Sequence, residues 1–175
     1  MSIRKFASSA LTIAEMEARK IRHGSSELWI RAVQPALWLI IFGEAMSKAR
    51  GIAPTGFTYI QFITPGVLAQ SVMFIAIFYG ITLVWERDLG LLNKLLSTPS
   101  PRASIITGKA LAASIRGVFQ AMVIFALALI IGANVRLNLS DVAGVFVVVM
   151  LLAMFFSSLS MFLASFMMTG ERMMG

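Results

Sequence analysis

Residues 84–111 read VWERDLGLLNKLLSTPSPRASIITGKAL and separate two stretches that are apolar enough to cross a bilayer. The segment carries four of the fifteen Lys and Arg residues of the chain, two acids and a Pro-Ser-Pro sequence. Leucines recur at helical spacing from Glu86 onward, which predicts an amphipathic helix of about three turns that Pro99 and Pro101 end. These leucines are Leu89, Leu91, Leu92, Leu95 and Leu96. The alternative is a solvated loop whose leucines fold back on the membrane surface.

The composition identifies a membrane protein. The chain has 175 residues, of which 58% are hydrophobic and 13% charged, and its mean hydropathy is +0.85. A soluble domain of this length is usually about a quarter charged. The apolar residues form long blocks instead of amphipathic stripes, and such blocks are typical of membrane spans. We therefore predict an all-α, polytopic helical membrane bundle.

The apolar blocks divide this bundle into four predicted spans. A span of about twenty residues at about 1.5 Å each matches the hydrocarbon core of about 30 Å. The predicted spans cover about 27–46, 59–85, 108–131 and 141–168. Residues 25–175 thus form a membrane domain, in which a polar segment, residues 86–107, connects the second span to the third.

Residues 1–24 are predicted to form a separate amphipathic helix that lies on the membrane. At 100° per residue, eight apolar side chains between Ile3 and Ile21 share one face, and a basic, polar face lies opposite. Glu17 is an exception, because this acid falls in the middle of the apolar face. It either snorkels to the edge of that face or forms a buried ion pair with a basic residue of the bundle.

The basic residues orient the chain. Twelve of them fall on one side of the predicted bundle and three, Lys48, Arg50 and Arg136, on the other. The positive-inside rule then places both ends of the chain and the segment 86–107 in the cytoplasm, with the protein in the inner or plasma membrane.

Several classes of function are disfavoured by the residues themselves. The basic residues flank apolar blocks and form no patch with aromatic residues, which argues against nucleic-acid binding. The chain has no Cys and one His, so a metal centre is not expected. Gly108-Lys109 lacks the other residues of a P-loop, and no catalytic Ser/His/acid set is credible. We expect no catalysis and no bound cofactor in this chain.

The segment 84–111 resembles the signature of ABC type-2 exporter permeases, in particular the daunorubicin-resistance type of membrane subunit. The resemblance is carried by Trp85-Glu86-Arg87-Asp88-Leu89-Gly90, Lys94-Leu95-Leu96, Thr98-Pro99, Pro101-Arg102 and Gly108-Lys109-Ala110-Leu111. Further matches are Tyr59 and Phe62 before Pro65-Gly66, Arg116 with Gln120, and Glu171-Arg172. They follow in order over nearly the whole chain.

This resemblance implies a function and a set of partners. The segment between the second and third spans would be a coupling helix, which fits a groove on a separate ATP-binding subunit that binds ATP and magnesium. Two permease subunits, identical or different, would join two such ATPase subunits in the lipid membrane as an exporter. The implied coupling residues are Glu86, Arg87, Asp88, Leu89, Gly90, Leu92, Lys94, Leu95, Leu96 and Pro99.

The chain departs from the family pattern in two places. Many relatives carry Thr and Glu where this chain has Leu91 and Asn93, which removes an acid from the segment. These permeases usually have six spans, whereas four are predicted here. The sequence is therefore expected to be an N-terminal portion of a longer permease.

Two further features have two interpretations each. Arg116, one helical turn before Gln120, either snorkels or pairs with Glu17 or Glu86 in a structural or gating ion pair. A stripe of small residues on the fourth span serves either close helix packing or a groove for substrate or a second subunit. The stripe consists of Ala153, Ser157, Ser160 and Ala164.

The leading hypothesis is the membrane subunit of an ATP-driven exporter of drugs, lipids or other amphiphiles. A small membrane scaffold or regulatory protein without transport activity is the alternative. An ion-coupled carrier is disfavoured, because paired carboxylates are absent from the span interiors.

Overall fold

The structure is a computed structural model that describes residues 3–23, 25–47, 54, 56–91, 94, 97–98, 101–133 and 138–171. Within these ranges the chain forms no strand, and the all-α class is confirmed. The bounded helices are α1 (Ile3–His23), α2 (Ser25–Ser47), α3 (Tyr59–Asp88), α4 (Arg102–Ile130) and α5 (Leu139–Glu171).

Three stretches of these helices are long and apolar enough to cross a membrane. They are Tyr59–Leu83 in α3, Arg102–Ile130 in α4 and Leu139–Phe166 in α5. They overlap the ranges predicted for the second, third and fourth spans. Helix α2, which contains the predicted first span, is not among them, so that span stays a prediction, as does the division of the chain at residue 24.

The core lies where α3 packs against α4 and α5, with α2 against α3. Buried aliphatic side chains fill it, among them Leu39, Val72, Ile124 and Val149. Small residues bring the helices close together, since a Cβ atom on Gly80 would lie 2.6 Å from the Cβ atom of Ser160. Close approach through small residues is the usual way in which helices associate in lipid.

Helix α1 lies outside this core and packs along α4. Its buried side chains include Ala10, Ile13 and Ala14. A Cβ atom on Gly108 would lie 2.8 Å from the backbone oxygen of Ala10. Glycine therefore lets the backbones of α1 and α4 touch at this level.

Helix α3 continues past its apolar stretch and ends at Asp88. The chain then turns at Gly90, whose φ of +71° is a conformation that favours glycine. Leu91 and Lys94 are again helical, and the Lys94 N–H donates to the Gly90 carbonyl at 3.3 Å. Since α4 begins at Arg102, the connection between α3 and α4 is shorter than the predicted segment 86–107 and comprises residues 89–101.

Candidate functional site

Four charged side chains meet beside this connection and form what we call the charge cluster: Glu17, Lys20, Glu86 and Lys109. The Lys109 Nζ atom lies 3.3 Å from Glu17 Oε1 and 2.5 Å from Glu86 Oε2. The Lys20 Nζ atom lies 2.9 Å from Glu17 Oε1 and 3.4 Å from Glu86 Oε1. Each lysine thus contacts both carboxylates, and the four formal charges sum to zero.

The charge cluster joins three helices. Glu17 and Lys20 lie three residues apart on α1, Glu86 lies in the last turn of α3, and Lys109 lies in the first half of α4. Gly108 allows α1 to approach α4 beside Lys109. Both helices that flank the connection 89–101 are therefore attached to the same stretch of α1.

Burial makes these contacts mutually dependent. The side chains of Glu17 and Lys109 are each 2% exposed, whereas Lys20 is 49% exposed on the outer side of the cluster. A buried ion costs several kcal/mol unless a partner of opposite charge compensates it. Loss of one member therefore leaves an uncompensated charge on a neighbouring helix.

The pKa values of the α1 members shift in the direction that keeps them charged. Burial alone would raise the pKa of Glu17, but the charge of Lys109 and the hydrogen bond from Lys20 outweigh it and lower that pKa. Burial likewise opposes charge on Lys20, but the hydrogen bond to Glu17 and the charges of Glu17 and Glu86 raise its pKa. Both groups lie on α1, outside the three candidate spans.

Within the described residues Arg116 does not form the ion pair with Glu17 or Glu86 that was one of its two interpretations. Among the described residues, Glu17 pairs with Lys20 and Lys109, while the Arg116 Cζ atom lies 3.9 Å from the centroid of the Tyr79 ring. Arg116 is two turns beyond Lys109 on α4, about 10 Å deeper. Glu17 therefore forms a buried ion pair with a basic residue of the bundle, which was one of its two interpretations. That basic residue is Lys109 and not Arg116.

Tyr79 connects the charge cluster to Arg116. The Lys109 Nζ atom also lies over its ring, 5.8 Å from the centroid. The Tyr79 hydroxyl is close enough to Glu17 and Arg116 to interact with them electrostatically. It has no hydrogen bond of normal geometry within the described residues, so its ring makes the well-defined contacts.

The other predicted coupling residues lie in and after the last turn of α3. Leu89 is 74% exposed, and Leu91 and Lys94 are also exposed. Leu92, Leu95, Leu96 and Pro99, and the side chains of Arg87 and Asp88, lie outside the described residues. The structure thus turns Glu86 inward to the charge cluster and leaves Leu89 on the surface, while the docking role of the segment stays a prediction.

The stripe of small residues lies in contacts between helices. Ala153, Ser157, Ser160 and Ala164 are all buried. The Ser160 hydroxyl donates to the carbonyl of Ile77 on α3 at 2.8 Å. A Cβ atom on Gly117 of α4 would lie 3.0 Å from the Cβ atom of Ala153. The stripe therefore faces α3 and α4 along α5.

Lys20 and Lys109 belong to the charge cluster, but neither was among the site residues that we predicted from the sequence. A signal for Lys109 was present, because it lies at the start of a predicted span and a buried ion pair with a basic residue of the bundle was one of the two interpretations of Glu17. The part of the chain that the structure describes contains no group of three or more His, Cys, Asp or Glu residues able to hold a metal ion.

These features define a polytopic helical membrane protein whose N-terminal helix is attached by ion pairs to both ends of a connection between spans. The chain belongs to the ABC-2 type transporter family, which matches residues 9–175.

Curated relatives agree with this assignment. The chain is 32% identical over 102 residues to a protein of Cyanophora paradoxa named "Putative transport permease ycf38", covering 57% of this chain and 35% of that one. It is 32% identical over 122 residues to the protein of the same name from Pyropia yezoensis, covering 69% of this chain and 41% of that one. The chain thus spans about two fifths or less of the length of these relatives. No solved structure matches it.

Proposed function

We propose that this chain is part of the membrane subunit of an ATP-driven exporter, in which a separate ATP-binding subunit docks on the connection 89–101. The observation that carries the proposal is the charge cluster. It attaches α1 and both flanking helices to one another at the base of that connection. The energy would come from ATP and magnesium in the partner, because the sequence has no P-loop of its own.

The contacts of the charge cluster support the idea that a movement of the connection 89–101 is transmitted to α1, α3 and α4. A partner that pushes on the connection acts on the last turn of α3 and the first turns of α4 together. Glu86 and Lys109, at these two positions, are in direct contact at 2.5 Å. Lys109 also contacts Glu17, so α1 would follow the same movement. The three helices would therefore respond as one unit and not as independent segments.

Exposed leucines support a docking surface on the connection. Leu89 is 74% and Leu91 43% exposed, and both lie beyond the end of the candidate span Tyr59–Leu83. Apolar side chains of a short helix that enter a groove of a partner are a common mode of recognition. By charge asymmetry this surface and the N-terminus would be cytoplasmic.

The docking proposal is tested with Leu89→Asp in the full-length permease, co-expressed with the ATP-binding subunit that co-purifies with the unaltered permease. We expect the variant to insert into the membrane but to lose co-purification with the ATPase. Leu139→Asp is the matched control, because Leu139 is 86% exposed at the start of α5, beyond the opposite ends of α3 and α4. Equal co-purification of both variants with the ATPase would contradict docking at the connection.

Coupling is tested separately by ATPase activity in nanodiscs. We expect the double variant Glu17→Leu/Lys109→Leu, which removes both buried charges together, to retain the ATPase subunit but to lose the dependence of its activity on the permease. Permease-dependent ATPase activity equal to that of the unaltered complex would show that the charge cluster does not transmit the displacement.

A further inference from the structure

The charged side chain of Arg31 lines a cavity of about 270 Å³ between α2, α3 and α4. Its guanidinium lies over the ring of Phe78, with the Cζ atom 4.8 Å from the ring centroid. Among the nine described residues that line the cavity, Arg31 is the one charged residue, and none is an acid. The lining therefore carries a net positive charge, which favours a negatively charged ligand.

The cavity extends along α3 from the side of the charge cluster toward mid-span. Phe78 lies five residues before Leu83, the end of the candidate span, which is about 7.5 Å. Ser71 lies twelve residues before Leu83, which is about 18 Å. Arg31 lies at the level of Phe78, so the charged end of the cavity is near the membrane surface. A lipid of that leaflet has the same order, with its head group at the surface and its acyl chains below.

The cavity opens through apolar side chains. Ile30, Phe74 and Phe78 line it and are 72%, 40% and 49% exposed. Gln120, in contrast, is 1% exposed, so it forms part of the wall and offers no accessible group to a ligand. Pockets for whole drug-sized ligands usually have about 300–1,000 Å³, so this smaller cavity suits a head group and the first part of a chain.

The chemistry of arginine favours a phosphate as the anionic group. A guanidinium carries five N–H donors in a planar fork that matches phosphate oxygens, and this number allows it to hold an anion in addition to another partner. By charge asymmetry this side of the membrane would be cytoplasmic. Basic pockets between membrane helices on that side are a known mode of binding the head groups of anionic lipids.

We propose that the cavity binds a phosphate-bearing lipid, with Arg31 donating to the phosphate oxygens. The acyl chain lies along the rings of Phe74 and Phe78. Gln34 also lines the cavity, one helical turn deeper than Arg31 on α2, and its amide donates to the ester oxygens below the phosphate. Whether this lipid is cargo rests on the function proposed above, whereas its binding does not.

The test is photo-crosslinking to the full-length protein in a maltoside detergent, which contains no phosphate. The probe is a phosphatidic acid with a diazirine in one acyl chain, and the matched probe is the diacylglycerol with the same chains. We expect the phosphatidic acid to label residues 71–78 about tenfold more than the diacylglycerol. Arg31→Gln should lower labelling by the phosphatidic acid about tenfold, which corresponds to the loss of a charge-assisted hydrogen bond.

Arg102→Gln is the matched control, because it removes the same charge at the start of α4 from a residue that does not line this cavity. If Arg31→Gln does not fold, the comparison of the two probes in the unaltered protein still tests the proposal. Equal labelling by both probes would overturn it, and so would an equal loss of labelling in the two variants.

Competition identifies the source of the phosphate. Unlabelled phosphatidic acid should displace the probe, whereas glycerol phosphate, which has no acyl chain, should not. Equal displacement by both would overturn the assignment to a lipid. Since no ATP or ATPase subunit is present, failure of ATPase coupling would leave this result unaffected.

Discussion

The Lys109 Nζ atom lies 3.3 Å from Glu17 Oε1, although the two residues are 92 positions apart in the chain. This contact places a lysine of a membrane-spanning helix against an acid on the apolar face of an amphipathic helix. Both side chains are 2% exposed, so each supplies the charge that makes the burial of the other tolerable. The ion pair with Lys109 therefore explains why an acid, Glu17, can lie on the apolar face of α1.

Lys109→Met should strongly destabilise the protein, by about 3–5 kcal/mol, because it leaves the buried Glu17 and the partly buried Glu86 with only the half-exposed Lys20 as partner. The double variant Glu17→Leu/Lys109→Leu should lose much less, since it removes both buried charges and leaves the Lys20–Glu86 pair. Unfolding by SDS in mixed micelles measures both. A double variant as unstable as Lys109→Met would mean that side-chain packing, and not charge, dominates this contact.

The lowered pKa of Glu17 predicts loss of stability in acid. Its ordinary value is 4.5, and the folded value lies below it. The ionised carboxylate therefore contributes its full stabilisation above pH 4.5 and loses it as the pH falls through the folded pKa. The raised pKa of Lys20 acts only in the alkaline range, above its ordinary value of 10.5.

Tryptophan-fluorescence melting curves between about pH 6 and about pH 3.5 should show this loss. The control is Glu17→Gln, which starts less stable but should change less over the same range. The same acid-induced change in both proteins would assign the effect to other carboxylates.

Gly108→Ala should move α1 away from α4, because the added methyl carbon would lie 2.8 Å from the backbone oxygen of Ala10 and the backbone of a helix cannot yield. Spin labels on Leu11 and Ile106, both exposed, report the separation of the two helices, and the absence of native Cys simplifies labelling. We expect a longer and broader distance distribution. Gly144→Ala is the control, since nothing lies within 4 Å of a Cβ atom there. An unchanged distribution in Gly108→Ala would show that the contact is loose.

The sequence was sufficient for the helical class, since the long apolar blocks leave few alternatives in a bilayer. It also marked Glu17 as an acid that either snorkels or pairs with a basic residue of the bundle. The sequence could not show whether Lys109 or Arg116 pairs with Glu17. Periodicity predicts which face of a helix is buried, but it does not predict how far the helix is shifted along its axis against a neighbouring helix. That shift depends on the contact at Gly108. The cavity at Gln120 was similarly hidden, because its walls come from three helices.

The contact between Arg116 and Tyr79 separates two roles of the tyrosine. The guanidinium lies 3.9 Å from the ring centroid, whereas the hydroxyl makes no hydrogen bond of normal geometry within the described residues. Tyr79→Phe, which keeps the ring, should therefore be nearly as stable as the unaltered protein. Tyr79→Leu should lose about 2 kcal/mol from the desolvated cation–π contact, in addition to lost packing. SDS unfolding of the two variants compares them directly. If Tyr79→Phe were as unstable as Tyr79→Leu, the hydroxyl, and through it the charge of Glu17, would be what holds Arg116 in place.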